Sequence, residues 1–252
     1  MKSKIPKNYL SLRQGKMADL TDFLNQKIIN NPAVGWTYKE FGKQVEQPVI
    51  DFLLNNNLLD SNNYVNQSAN KNEIPDIIDN QYKDSIFIDV KAGNIVQYAT
   101  GKNVTNPNQD LSTTTRWKED TLTRFKGENC YFIEIKYHHL VGEDLYVTES
   151  NIDKFYNFVG KTPDGFIATR SRNVRTKSWN SPSKFSSSAE FEKLIDATRS
   201  NSIKKDLFNH IDYLNDKDKL EIIKILKTKT QTKIARCYRV LRNKLKLPVR
   251  KV

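Results

Sequence analysis

Two short runs of the sequence carry residues fit for chemistry. Pro75-Asp76 is followed, after 12 intervening residues, by Asp89-Val90-Lys91. Side chains alternate faces along an extended strand, so Asp89 and Lys91 share one face and Val90 takes the other. A neighbouring strand beginning at Asp76 brings a second carboxylate alongside. Two carboxylates a few ångströms apart repel unless a cation lies between them, and their oxygens suit a hard ion such as Mg²⁺. A lysine beside that ion can orient or deprotonate an attacking water, or stabilise the charge that builds on a five-coordinate phosphorus. These are the parts of metal-dependent phosphodiester hydrolysis. The same residues also read as a structural Asp–Lys pair beside a turn-forming Asp76.

The elements that must position these residues are visible in the pattern. The runs IPDII (74–78) and SIFIDVKAG (85–93), separated by DNQYKD, predict a β-hairpin. Ile74, Ile77, Ile86, Phe87, Ile88 and Val90 are what a buried strand contains, and an Asp and a Lys inside such a run cost free energy unless paired or metal-bound. Upstream, to about Leu59, apolar residues recur at helical spacing: Leu20, Phe23, Leu24, Ile28 and Ile29, then Phe41, Val45, Val49, Phe52 and Leu53. Glu46 precedes Val49, Ile50 and Leu53 on the second stripe, which makes it the candidate for a third acid at the site. Pro48 requires a kink there or a new helix with Pro48 in its first turn.

Farther along, the Asn-rich stretch 55–72 predicts loop or edge strand, 94–112 a polar loop, 113–125 a helix, and CYFIEIKY (130–137) a strand. TESN (148–151) predicts the cap of a helix running through Phe158, GFIATR (165–170) a short strand, and 170–188 a basic loop. From about Ala189 the pattern predicts helices near 189–199, 203–214, 217–227 and 231–246. The fold class expected is α/β, a central mixed β-sheet flanked by helices with a basic helical C-terminal region. The boundaries expected are a catalytic and DNA-recognition domain over 1–188 and a basic helical DNA-binding or clamp region over 189–252.

Composition narrows the function. The 252 residues carry 41 Lys and Arg against 29 Asp and Glu, a net charge of +12. From Arg199 onward there are 16 basic and five acidic residues, so the charge lies almost wholly at the C-terminal end. That distribution fits a polyanionic partner. Two cysteines far apart exclude a disulfide framework and a zinc ribbon, and three histidines leave little for a His-based metal site or Ser-His catalysis. Apolar runs are too short for a membrane span, and the start MKSKIPKNYLSLRQ has no signal-like core, so a cytoplasmic protein with no membrane association is expected.

Pro75, Asp76, Asp89, Val90 and Lys91, in this hydrophobic setting, resemble the motif of the PD-(D/E)xK nucleases. N-terminal helices, hairpin, and Asp-Val-Lys strand followed by a polar loop are similar to the EcoRV and HincII group of type II restriction endonucleases. The strict motif spans about 17 residues and the looser layout 38–140. The resemblance implies a restriction-endonuclease-like sheet, Asp76 and Asp89 as Mg²⁺ ligands, Lys91 beside the nucleophilic water, and Glu46 as an added acid. It also implies cleavage of double-stranded DNA, a homodimer, and a separate cognate DNA methyltransferase in a restriction-modification system.

Base reading needs amides and guanidinium groups on loops. Asn94, Gln97, Lys102, Asn103, Asn106, Asn108 and Gln109 follow the catalytic strand, and Arg170, Arg172, Asn173, Arg175, Lys177, Asn180 and Lys184 form a second set around Trp179. The second set also reads as a polar loop making phosphate contacts alone. The C-terminal helices read as a helix-turn-helix, as a backbone clamp, or as a face that packs against a second subunit. A second Glu-x-Lys, Glu134-Ile135-Lys136, lacks an upstream Pro-Asp and is expected to be a solvent-facing charge pair. The alternatives to a restriction enzyme are a repair or recombination nuclease of the same fold and a non-enzymatic helix-turn-helix regulator.

Overall fold

A computed structural model describes residues 2–37, 39–67, 75–104, 110–113, 128–170, 173–179, 181–208 and 215–221. The hairpin forms as its pattern predicts. Strand β2 (Ile77–Asp79) pairs antiparallel with β3 (Ile86–Asn94), with Ile77 opposite Ile88. The Asn-rich stretch supplies an edge strand, β1 (Tyr64–Asn66), on β2. Short β4 (Asp110–Thr113) belongs to a second sheet. On its other side β3 pairs parallel with β5 (Cys130–His138), and β5 pairs antiparallel with β6 (Tyr146–Lys154). The main sheet is therefore mixed, in the order β1-β2-β3-β5-β6.

Both faces of this sheet are covered, which is why β5 is buried at every residue but its last. On one face Ile88, Val90, Ile133, Ile135 and Ile152 pack with Leu20, Leu24, Phe41, Val49 and Leu53. Those partners come from helices α2 (Met17–Asn30), α3 (Phe41–Gln44) and α4 (Glu46–Asn55), and α1 (Tyr9–Gln14) adds Tyr9 to the same cluster. The proline problem is solved by a new helix: α4 starts at Glu46, so Pro48 falls in the first turn, where its missing N–H has no helical partner to lose. On the other face Cys130 and Phe132 pack with Phe155, Phe158, Ile167 and Val174. Strands β7 (Thr169–Arg170) and β8 (Asn173–Arg175) complete the second sheet, ordered β4-β8-β7. Helix α5 (Ser188–Phe208) closes this face, with Phe191 and Ile195 in the same cluster.

Three expectations are corrected. TESN does not cap a helix; it lies within β6, and only Phe155–Phe158 coil, as a 3-10 turn. Thr148 is the extra residue of a bulge, since Lys136 pairs with Glu149 and Tyr137 with Val147. The bulge breaks the two-residue alternation that betrays a strand in sequence. The stretches taken as loops contain β4 and β8, whose polar residues carry no hydrophobic alternation. The segments near 189–199 and 203–214 begin as one continuous helix through Phe208, followed by helical residues at 216–221. The expected helix at 113–125 lies outside the described residues beyond Thr113, as do 209–214 and everything after 221. No helix among the described residues is long and apolar enough to cross a membrane.

The far end of β2 is held by a buried ion pair. Arg13 Nη2 stands 3.9 Å from Asp79 Oδ2, and its guanidinium lies 3.4 Å over the Tyr9 ring. Arg13 also donates to the Tyr9 and Leu58 carbonyls, and the Tyr9 hydroxyl donates to Asp79 at 3.4 Å. Removing one partner of such a pair strands a buried charge. Arg13→Met is therefore expected to lower stability by about 3 kcal/mol in urea unfolding at neutral pH. Burial already raises the Asp79 carboxyl, so the loss should shrink in mildly acidic buffer, where the carboxyl protonates.

Candidate active site

The hairpin register carries Asp76, the residue before β2, to the position opposite Asp89. Asp76 Oδ2 accepts the Val90 amide at 2.7 Å, which fixes that carboxylate against the middle of β3. Lys91 Nζ stands 3.1 Å from Asp89 Oδ2 and 3.8 Å from Asp76 Oδ2. Asp89 is fully buried, whereas 26% of the Lys91 side chain remains exposed, so the group opens to solvent through the lysine. Asp89 Oδ2 meets the Lys91 ammonium, whereas Oδ1 is buried without a hydrogen-bond partner. Glu46, at the start of α4, is half-buried and electrostatically coupled to both Asp76 and Lys91.

The charges show the strain of this arrangement. Burial first, then Asp76, raises the Asp89 carboxyl to about 7, with Lys91 opposing. Burial first, then Asp76, likewise raises Glu46 to about 7. Burial would lower Lys91, but Asp89 and Asp76 overcome it and hold the ammonium above its ordinary range. Asp76 and Asp89 thus share the Lys91 ammonium in contact, and Glu46 feels both Lys91 and Lys43. Among the described residues no three His, Cys, Asp or Glu side chains form a complete metal cage. The donor set still fits a hard divalent ion such as Mg²⁺, which characteristically takes one or two carboxylates and keeps its remaining ligands as water. The buried Oδ1 of Asp89, which meets no donor, is the observation behind that fit.

The structure thus brings Asp76, Asp89, Lys91 and Glu46 together. The expected DNA-reading residues fare differently. Asn94 bonds the His139 backbone at both ends, donating to its carbonyl at 2.8 Å and accepting its amide at 3.2 Å, so it ties the end of β3 to β5. Gln97 and Lys102 are exposed in the loop after β3, where Gln97 accepts from Thr100. Arg170 ends β7, Asn173 and Arg175 frame β8, and Lys177 is half-buried just beyond. Asn106, Asn108, Gln109, Arg172 and Asn180 lie outside the described residues.

Glu134 and Lys136 correct the expectation of a solvent-facing pair: they are 7% and 6% exposed. The β3–β5 register sets Lys91 beside Glu134, so both residues project from the sheet face that carries Asp89. The length of the apolar run CYFIEIKY, unbroken on either parity except at these two positions, was the available signal for a strand buried on both faces.

No family model matches the chain, and no curated protein matches it. Among solved structures, the NlaIV restriction endonuclease is similar at 15% identity and a TM-score of 0.46, over 66% of this chain and 69% of that one.

The raised carboxyls set a pH dependence. A group whose pKa is higher in the folded chain holds a proton that the unfolded chain releases, so its contribution is complete below about pH 4 and lost as pH rises through the folded value. For Asp89 and Glu46 that value is about 7. Without added metal, the thermal midpoint should fall from about pH 5 to about pH 8, and Asp89→Asn should flatten that fall.

Proposed function

We propose that the chain is a type II restriction endonuclease that hydrolyses double-stranded DNA at a short specific sequence, leaving 5′-phosphate ends. The observation that carries this reading is the buried pair Asp76 and Asp89 flanking Lys91, with Glu46 alongside. Asp76 and Asp89 would hold Mg²⁺, which when bound supplies Lewis acidity toward the phosphoryl oxygen and a more acidic water. Asp76, fixed by the Val90 amide, presents its carboxylate in a constant position. Lys91, held as an ammonium by its two carboxylates, orients the attacking water and faces the negative charge that grows on the phosphoryl group. Glu46 adds a third carboxylate at the exposed edge.

The net charge of +12 supports a nucleic-acid partner, and sequence-independent affinity would come chiefly from the basic C-terminal residues. A palindromic site would match a homodimer by its two-fold symmetry. A cognate methyltransferase would act separately on the same sequence.

The test is a gel of plasmid and phage DNA incubated with the protein in Mg²⁺ or in EDTA. Discrete fragments in Mg²⁺ alone are expected. A smear or nicking would favour a repair nuclease, and uncut DNA that is tightly bound would favour a regulator. Lys91→Ala should slow cleavage on the order of 10²–10⁴-fold, and Asp89→Ala should abolish it, while gel shifts show site binding retained. Wild-type cleavage by either variant would overturn the assignment.

A further inference from the structure

The row that sets Asp76 across from Asp89 continues to the edge of the sheet. Tyr64, Val65 and Asn66 of β1 stand opposite Asp79, Ile78 and Ile77 of β2, and the next amide, that of Gln67, donates to the Asp76 carbonyl at 2.7 Å. Gln67 therefore stands across the ladder from Asp76 as Asp76 stands across from Asp89, on one face of the sheet. Asn66, one residue earlier, takes the other face with Ile77, whose side chain packs in the cluster that holds Val49 and Leu53 of α4.

On that second face β1 meets the start of α4. Asn66 Nδ2 donates to Gln47 Oε1 at 3.0 Å, and Gln47 Nε2 donates to Asp51 Oδ1, one turn along the helix, at 2.8 Å. The bond to Asp51 settles which end of the Gln47 amide faces β1: the nitrogen turns to the carboxylate and the oxygen to Asn66. Gln47 directly follows Glu46 in the first turn of α4. That turn is weakly held by the helix itself, because its amides have no partners within the helix, Pro48 has no N–H, and Val45 at the cap offers no capping side chain.

Strand β1 is thus a bracket between the two elements that deliver acids to the site. Its start is fixed by the Asn80 amide, which donates to the Asn63 carbonyl at 2.7 Å, and its end by the Gln67 amide on Asp76. Asn66 joins the first turn of α4 to this short strand. Glu46 and Asp76 are therefore linked by a path of two hydrogen bonds, Gln47 to Asn66 and Gln67 to Asp76, with only adjacent residues between them.

We propose that the Gln47–Asn66 bond clasps the start of α4 to β1 and thereby sets the position of Glu46 against Asp76, making Asn66 a positioning residue of the site. The inference rests on the metal-site part of the endonuclease reading and adds to it a residue of the edge strand. The clasp lies in solvent, so its effect is that of one amide hydrogen bond, a few-fold in any equilibrium it governs. Breaking it leaves the core under the sheet intact and lets Glu46 swing away from Asp76 toward water.

The experiment titrates Mg²⁺ in a calorimeter, without DNA, into wild type, Asn66→Ala, Gln47→Ala, Glu46→Gln, the double variant Asn66→Ala/Glu46→Gln, and the exchanged pair Gln47→Asn/Asn66→Gln. Asn66→Ala and Gln47→Ala should each weaken binding about 2–10-fold. Thermal midpoints should stay close to wild type, because both residues are exposed. The exchanged pair keeps the reach between the two backbones and should restore binding. Glu46→Gln should weaken binding at least as much, and adding Asn66→Ala to it should weaken it no further. In cleavage assays the Mg²⁺ needed for half-maximal rate should rise by the same factor, with KM for DNA unchanged. Wild-type Mg²⁺ affinity in both alanine variants, or an undiminished Asn66→Ala effect in the Glu46→Gln background, would overturn the clasp. So would a loss of DNA affinity by Asn66→Ala with Mg²⁺ binding intact, which would make Asn66 a DNA contact. Wild-type protein that binds Mg²⁺ but cuts no DNA would sink the endonuclease reading, and the titration would still judge the clasp. A folded wild type with no saturable Mg²⁺ site would sink both.

Discussion

The structure turns on an imbalance of charge in a place with little water. Asp89 is fully buried, Asp76 is nearly so, and the single ammonium of Lys91 serves both. Like charges at this spacing are costly, and a third carboxylate at Glu46 raises the cost further. A chain keeps such an arrangement where something else completes it. A divalent cation would supply the missing charge, and the all-oxygen donor set matches the hard ions that serve phosphoryl chemistry.

The scaffold is arranged to hold that imbalance in place. The hairpin register sets Asp76 across from Asp89, the Val90 amide locks Asp76, and the Arg13–Asp79 pair anchors the other end of β2. Packing Phe41, Val49 and Leu53 beneath the sheet brings the start of α4, and with it Glu46, to the mouth of the site. The opposite face continues the polar line through Glu134 and Lys136 to the segment around Lys177.

Much of the site was legible in the sequence because it is local. Two-residue alternation alone places Asp89 with Lys91, and the hairpin turn brings Asp76 beside them. Glu46 was legible because helical spacing ties it to Val49, Ile50 and Leu53, and Pro48 marks where α4 must begin. The helices before Leu59 and the strand at 130–137 followed from the same periodicities. Pairings between distant segments were not legible. The bulge at Thr148 scrambled the alternation of β6, so a strand looked like a helix cap. β4 and β8 are polar and short, and their strand character comes from each other. Glu134 and Lys136 looked like a surface pair because nothing local says that β5 lies between β3 and β6 with both faces covered. Asn94 looked like a free amide, whereas its partner, the backbone of His139, lies 45 residues away.

The most direct test of the account is metal binding without DNA, by titrating Mg²⁺ into wild-type protein and Asp89→Asn near pH 7.5 in a calorimeter. The account predicts a saturable site in the wild type, with protons released on binding as Asp89 and Glu46 give theirs up, and loss of that site in the variant. Equal binding by both proteins, or no saturable binding by a folded wild type, would contradict it.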